Sequence, residues 1–287
     1  TNGWPPAEKS GTSPTTDIPT HSETTSAVDK SETLDYVINS VLWDQPVSSV
    51  NTNAFVNQEF TDSPDYSSFL ADDFVVPTAW MIDKIFIPGD GWNGFTTLMN
   101  ASALTFMIYQ DGAGVPAGDP SGAGALPVWV YTLPPTDPQI TITNGYLGYP
   151  SNTQLILEVP ILLPAGHYWL VFYPSMAFNP YGQFGRHPAD TVNLNTAQFV
   201  NPGGGFGYGS VWQPWTVLGS GLTQLDMAFR IEGTEIATLE IDFDATVTAP
   251  PNHVIWNSAY LEYGSYVSQA NDETFTGYGV YLPITIK

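Results

Sequence analysis

Short apolar runs, separated by turn residues, fill the middle of the chain. They fall at 74–76, 80–87, 103–109, 128–133, 139–143, 154–159, 167–173, 196–200 and 225–232. β-Branched and aromatic side chains dominate them, and Gly, Pro, Asn and Asp divide them, so each predicts a strand closed by turns. The last run alternates: Leu225, Met227, Phe229 and Ile231 share one face, and Asp226, Arg230 and Glu232 the other. The run 167–173 is apolar on both faces and predicts a central strand covered on both sides. Helical spacing occurs at the start, where Leu34, Val37, Ile38, Val41 and Leu42 predict one short helix. No strand-helix repeat follows, so the expected fold is all-β, an antiparallel two-sheet β-sandwich.

Three segments follow from the same pattern. Residues 1–33 form an extended arm in which Ser and Thr fill 12 of the 24 positions from 10 to 33, interrupted by Pro14 and Pro19. Such a segment buries too little apolar surface to order itself, so it needs another surface to hold it. Residues 34–233 are the sandwich. Residues 234–287 read as a β addition. Leu239, Ile241, Phe243, Ala245 and Val247 alternate with polar residues, and further strands are expected at 254–256 and 260–267. At the end Val280, Leu282, Ile284 and Ile286 share one face, and Pro283 places that strand at a sheet edge because it donates no ladder bond. The chain begins at Thr1, which reads as a mature, exported form.

Charge narrows the partners. The 287 residues carry 28 Asp and Glu against 6 Lys and Arg, a net charge of −22. The three segments hold −3, −13 and −6, so the acid is spread along the chain and is not gathered into a tail. This surface repels nucleic acid, whose binding rests on Lys and Arg neutralising phosphates, and anionic membranes. No apolar run approaches the roughly 18 residues of a membrane span. The chain has no cysteine, which removes disulfides and thiolate metal sites.

Four stretches carry a resemblance. They are Leu70-Ala-Asp-Asp-Phe-Val-Val-Pro77 followed by Trp80-Met-Ile-Asp83, Gln110-Asp-Gly-Ala-Gly-Val-Pro116, Pro164-Ala-Gly-His-Tyr-Trp169 followed by Met176-Ala-Phe178, and Asn201-Pro-Gly-Gly-Gly-Phe-Gly207. In this order they resemble a β-sandwich domain common in secreted bacterial proteins, over roughly 41–233. The resemblance implies a jelly-roll-like sandwich, exported and often attached to larger surface proteins, with no established activity to carry over. The chain departs from it at Gln183-Phe-Gly-Arg186, where Trp or Tyr is usual, and in having no cysteine. The tail Tyr281-Leu-Pro-Ile-Thr-Ile-Lys287 resembles the short C-terminal ending of many exported proteins from filamentous bacteria.

Candidate chemistry is sparse. The four histidines, His21, His167, His187 and His253, lie apart, and no G-x-S-x-G, H-E-x-x-H or P-loop spacing occurs. No catalytic set can be assembled, so the chain does not read as an enzyme. Adjacent Asp72 and Asp73 point to opposite faces of a strand and cannot act as a facing pair. No cofactor is required, but Asp72, Asp73, Asp90, Asp111 and Asp119 are candidate Ca²⁺ ligands, since Gly-rich loops add the carbonyls that Ca²⁺ takes. Tyr208, Trp212 and Trp215, with Phe206, either form a sugar-stacking platform or close one end of the sandwich. Lys84, inside an apolar run, either snorkels to an edge or pairs with a carboxylate.

The expected function is a structural subunit of an extracellular filament or cell-surface assembly. Its partner is a second copy of itself, held without covalent links by strand or arm exchange. The interface residues would be Val280, Leu282, Ile284 and Ile286 in the last strand and Trp4, Ile18 and Val28 in the arm. The alternative is a secreted carbohydrate-binding or adhesive module that takes a polysaccharide.

Overall fold

A computed structural model describes residues 40–219, 222–236 and the two strands 254–263 and 266–275. The chain divides into two units, Thr1–Tyr36 and Val37–Lys287. The first lies outside the described residues, and with it the predicted arm.

The second unit is an all-β sandwich of antiparallel sheets. Its main strands are β1 (Ser40–Gln45), β2 (Phe69–Val76), β3 (Ala79–Ile87), β4 (Ala103–Gln110), β5 (Trp129–Leu133), β6 (Ile140–Asn144), β7 (Pro150–Leu163), β8 (Gly166–Met176), β9 (Gln198–Val200), β10 (Gln213–Pro214) and β11 (Phe229–Ile236). One sheet runs β1-β11-β3-β7-β6, and the other β10-β9-β2-β8-β4-β5, with Glu59–Phe60 beside β8. The order has a simple rule: β1 pairs with β11, β2 with β8, β3 with β7 and β4 with β5, all antiparallel. A long hairpin folded over on itself produces this nesting, and the result is a jelly roll. A final hairpin joins β12 (Val254–Tyr263) to β13 (Tyr266–Phe275).

Alternation along the strands builds the core. Ile82, Ile85, Ile87, Phe74, Leu104, Phe106, Leu170 and Phe172 meet between the sheets. In β8, Tyr168, Leu170 and Phe172 face this core, while Trp169, Val171 and Tyr173 belong to a second cluster on the other face. β8 is therefore the central, doubly covered strand that its sequence predicts.

Four expectations need correction. Val41 and Leu42 lie in strand β1, not in a helix, because β1 completes a sheet against β11, nearly 200 residues later. The run 225–232 is broken at Ala228 between the short strand Asp226–Met227 and β11. β11 then continues to Ile236, across the boundary expected at 233. The two strands expected at 254–256 and 260–267 are divided differently: 254–256 and 260–263 belong to one continuous strand, β12, and 266–267 open its hairpin partner β13. The strand expected at 239–247 lies outside the described residues.

Candidate functional site

The motif residues converge on a buried polar junction around β2. Asp72 and Asp73 are both fully buried there. On one side, Asp72 Oδ2 accepts hydrogen bonds from the Met227 N–H and Gln45 Nε2, both at 2.7 Å. Its Oδ1 accepts from the Asp73 N–H at 3.0 Å. Arg186, also fully buried, donates from Nη1 to the Leu70 carbonyl at 3.2 Å. Burial raises the Asp72 carboxyl well above its ordinary range, and the nearby Asp226 charge adds to this. Burial likewise pushes Asp226 up to about 7, and Arg186 down to about 10 against the pull of Asp72.

On the other side, Asp73 Oδ2 meets His167 Nε2 at 2.8 Å and accepts from Asn195 N–H at 3.0 Å and Nδ2 at 2.8 Å. Asp111 Oδ1 stands 3.8 Å from His167 Nδ1 and accepts from Trp169 Nε1 at 2.9 Å. Asp111 also takes the Gly114 N–H at 3.0 Å, which closes its own turn. Three of the four motif stretches thus meet at one place. Among the described residues no hydroxyl bonds either ring nitrogen of His167.

The five candidate Ca²⁺ ligands are not gathered into one site. Asp72 and Asp73 Oδ2 hold the partners described above, while the buried Asp73 Oδ1 accepts no hydrogen bond. Asp90 accepts from the Leu147 N–H at 2.7 Å and lies 3.5 Å from His187 Nε2. Asp119 accepts from the Ser121 N–H at 2.8 Å and the Ala123 N–H at 3.2 Å within its own loop. Among the described residues no group of three or more His, Cys, Asp or Glu is placed to hold a metal ion.

The aromatic platform separates as well. Trp215 is fully buried, packs edge-on against Phe55 and donates from Nε1 to the Leu225 carbonyl at 2.8 Å. It cannot stack a sugar. Tyr208 packs edge-on against Phe199, and Trp212 donates from Nε1 to the Gly118 carbonyl at 2.9 Å. Tyr208 and Trp212 are half-buried, each packed on a different cluster of side chains. Lys84 pairs with Glu232 at 3.2 Å. The expected interface residues Trp4, Ile18, Val28, Val280, Leu282, Ile284 and Ile286 lie outside the described residues.

A different feature stands at the open side of the sandwich, between β5 and β7. The β3–β7 pairing shifts between Ile156 and Ile161, so the residues between them bulge out of the ladder. Pro160 is tolerated there because a bulge requires no donor from it. The bulge and β5 enclose a cleft of about 500 Å³ lined by Trp129, Tyr131, Leu157, Val159 and Leu163. Gln139 spans it, donating from Nε2 to Tyr131 Oη at 2.8 Å and accepting the Glu158 N–H at 3.0 Å.

Among the described residues β5 is also the last strand of its sheet and pairs with β4 alone. Leu126 and Val128, which lead into the strand, and Val130 within it are 86%, 47% and 51% exposed, and Val159 and Leu162 are exposed across the cleft. Residues 120–136 contain no charged side chain. The sequence carries one signal for this edge, an uncharged apolar strand, but nothing in the strand itself tells that, among the described residues, no strand pairs with its outer side. Among the described residues no helix is long and apolar enough to cross a membrane. No family model, no curated protein and no solved structure matches this chain.

Proposed function

We propose that this protein is a structural subunit that assembles with copies of itself into an extracellular filament or cell-surface layer. The observation that carries this reading is the edge at β5. Natural sheet edges are usually blunted by Lys, Pro or bulges, because unpaired N–H and C=O groups recruit further strands. This edge has exposed Leu126, Val128 and Val130 and no charge. Contiguous apolar surface of this kind marks an interaction site.

The occupant we assign is the segment 279–287 of another copy. Its Val280, Leu282, Ile284 and Ile286 alternate, as an added strand requires. The contact joins two different surfaces, so each added copy leaves both surfaces free at the ends, and a rotation that does not close grows a fibre. The chain's acidic character keeps such polymers apart in solution.

Sedimentation and electron microscopy of the full chain test the proposal. The full chain should form fibres. Deletion of 279–287, or Val130→Lys on the outer edge, should leave monomers that fold normally by circular dichroism. A full chain that stays monomeric at high concentration, or fibres unaffected by both changes, would overturn the reading. A second reading, polysaccharide binding, is favoured by one observation: Trp129 and Tyr131 lie 5.7 Å apart in the cleft, beside Gln139. Retention on a polysaccharide that is lost in Trp129→Ala, without any fibre, would select it.

A further inference from the structure

A second pocket, separate from the β5 edge, is built of aromatic rings. Phe60, Tyr66, Phe178 and Phe206 line about 240 Å³ together with Ser63 and Gln183. Phe60 is buried and forms the floor. Its ring centroid lies 6.3 Å from Phe178 and 6.4 Å from Phe206, and Phe206 lies 5.1 Å from Tyr66. All three pairs meet edge to face, so the rings stand at steep angles around a common space.

The walls are held in place by the backbone. Asp62 accepts the N–H groups of Phe178 at 2.8 Å and Asn179 at 3.0 Å, which fixes the Phe178 turn. Asn201 donates from Nδ2 to the carbonyls of Asp65 at 2.9 Å and Ser67 at 2.8 Å, and accepts the Phe206 N–H at 3.0 Å. Gly203 must lack a side chain here, because a Cβ would stand 2.5 Å from Asp65 Cα. The Asn201-Pro-Gly-Gly-Gly-Phe-Gly207 stretch therefore clamps onto 65–67 and delivers the Phe206 ring to the pocket.

The sequence segments that supply the lining carry charge of one sign. Glu59, Asp62 and Asp65 each adjoin a lining residue in sequence, and no Lys or Arg occurs in 59–66, 178–183 or 202–207. The hydrogen bonds from Asn179 and Phe178 hold Asp62 below its ordinary value, so it stays anionic. Ring faces carry negative charge density and attract a cation that has no N–H to satisfy. At 240 Å³ the space is smaller than the roughly 300–1,000 Å³ of sites for drug-sized ligands, which selects a compact head group.

We infer that this pocket is a binding site for a quaternary ammonium group, of the choline or betaine type. The site is independent of the assembly proposed above, since the two share no residue.

Calorimetric titration of the full chain tests the inference, with choline and with its uncharged carbon isostere, 3,3-dimethylbutan-1-ol. Choline should bind with a Kd of about 1 mM or lower, and the isostere about tenfold more weakly. Phe206→Leu and Tyr66→Leu should each weaken choline binding by about tenfold. Equal binding of choline and its isostere would show an apolar slot only and overturn the inference. So would no binding, or binding that survives both substitutions. If the variants fail to fold, the comparison of the two ligands on the unaltered chain still decides.

Discussion

The outer faces of the two sheets differ in what they meet. On the five-stranded sheet, Lys84 pairs with Glu232 at 3.2 Å, Arg230 pairs with Glu232 at 2.8 Å, and the Arg230 guanidinium lies 5.5 Å from the Phe86 ring centre. These groups are half-exposed, and water shares in their interactions. On the partner sheet, the outward side chains Trp169, Val171, Tyr109 and Tyr173 are buried, with Trp212 packed over them. Burial pushes the Tyr173 hydroxyl up to about 12 and raises Tyr109 as well, as expected where water is excluded. The same strand alternation thus yields a wet face in one sheet and a second core in the other. The difference comes from the loops around 111–119 and 201–212, whose Asp111 and Trp212 hydrogen-bond into or across that second core.

Substitutions can break this comparison. Trp169→Ala should destabilise the fold by about 3–5 kcal/mol, because a large ring leaves a cavity and Asp111 loses a donor. Phe86→Ala on the wet face should cost about 1 kcal/mol or less. Urea unfolding of both variants measures the contrast, and equal losses would remove the distinction between the faces.

Asp72→Ala acts inside the buried polar junction. It leaves the Met227 N–H without its acceptor, takes one of two acceptors from Gln45 Nε2 and removes the carboxyl beside the buried Arg186. The expected loss is about 3–5 kcal/mol, read from the same unfolding curves.

A pH series sharpens the contrast further. Asp226 is raised to about 7 in the fold, against about 3.9 for an exposed carboxylate. Between these values the folded state holds a proton that the unfolded state has released. Stability should therefore fall as pH rises from about 4 to about 7, and level off above that. Asp226→Asn keeps the acceptor for Asn193 and removes the titration, so its urea midpoint should change less over the same range. An unchanged pH slope in this variant would refute the assignment.

The smallest effect belongs to the wet face. Lys84→Ala should cost about 0.2–1 kcal/mol, and less in high salt, because the pair with Glu232 is partly solvated.

Much of the architecture was legible in local pattern. Period-2 runs located most of the main strands, and the double-sided apolarity of 167–173 marked β8 as central. Local pattern misled at Val41 and Leu42, where apolar residues at helical spacing belong to a strand. Their conformation is set by β11, and no local window contains that partner. It also understated β7, a strand of 14 residues, because Glu158-Val-Pro160 looks like its end and is in fact its bulge.

The candidate site was less legible. The motif acids were identified individually, but their partners lie far away in sequence: Asp73 with His167 and Asn195, Asp72 with Gln45 and Met227. Carboxylates beside Gly-rich loops suggested a shared Ca²⁺ site, whereas the fold sets these acids apart and gives several of their oxygens to backbone N–H groups, side-chain amides and His167. Trp215 carried the composition of a binding surface and is instead buried, since aromatic content does not tell which face of a loop meets water.

The sequence by itself determined that this is an acidic, cysteine-free chain of alternating strands, because composition and period are local properties. Tertiary structure alone decided the nesting of β1 with β11 and β2 with β8, the covering of one sheet's outer face, the exposed edge at β5 and the ring pocket at Phe60. Each of these depends on which distant segment excludes water from which face, and a residue's own neighbours in the chain do not carry that information.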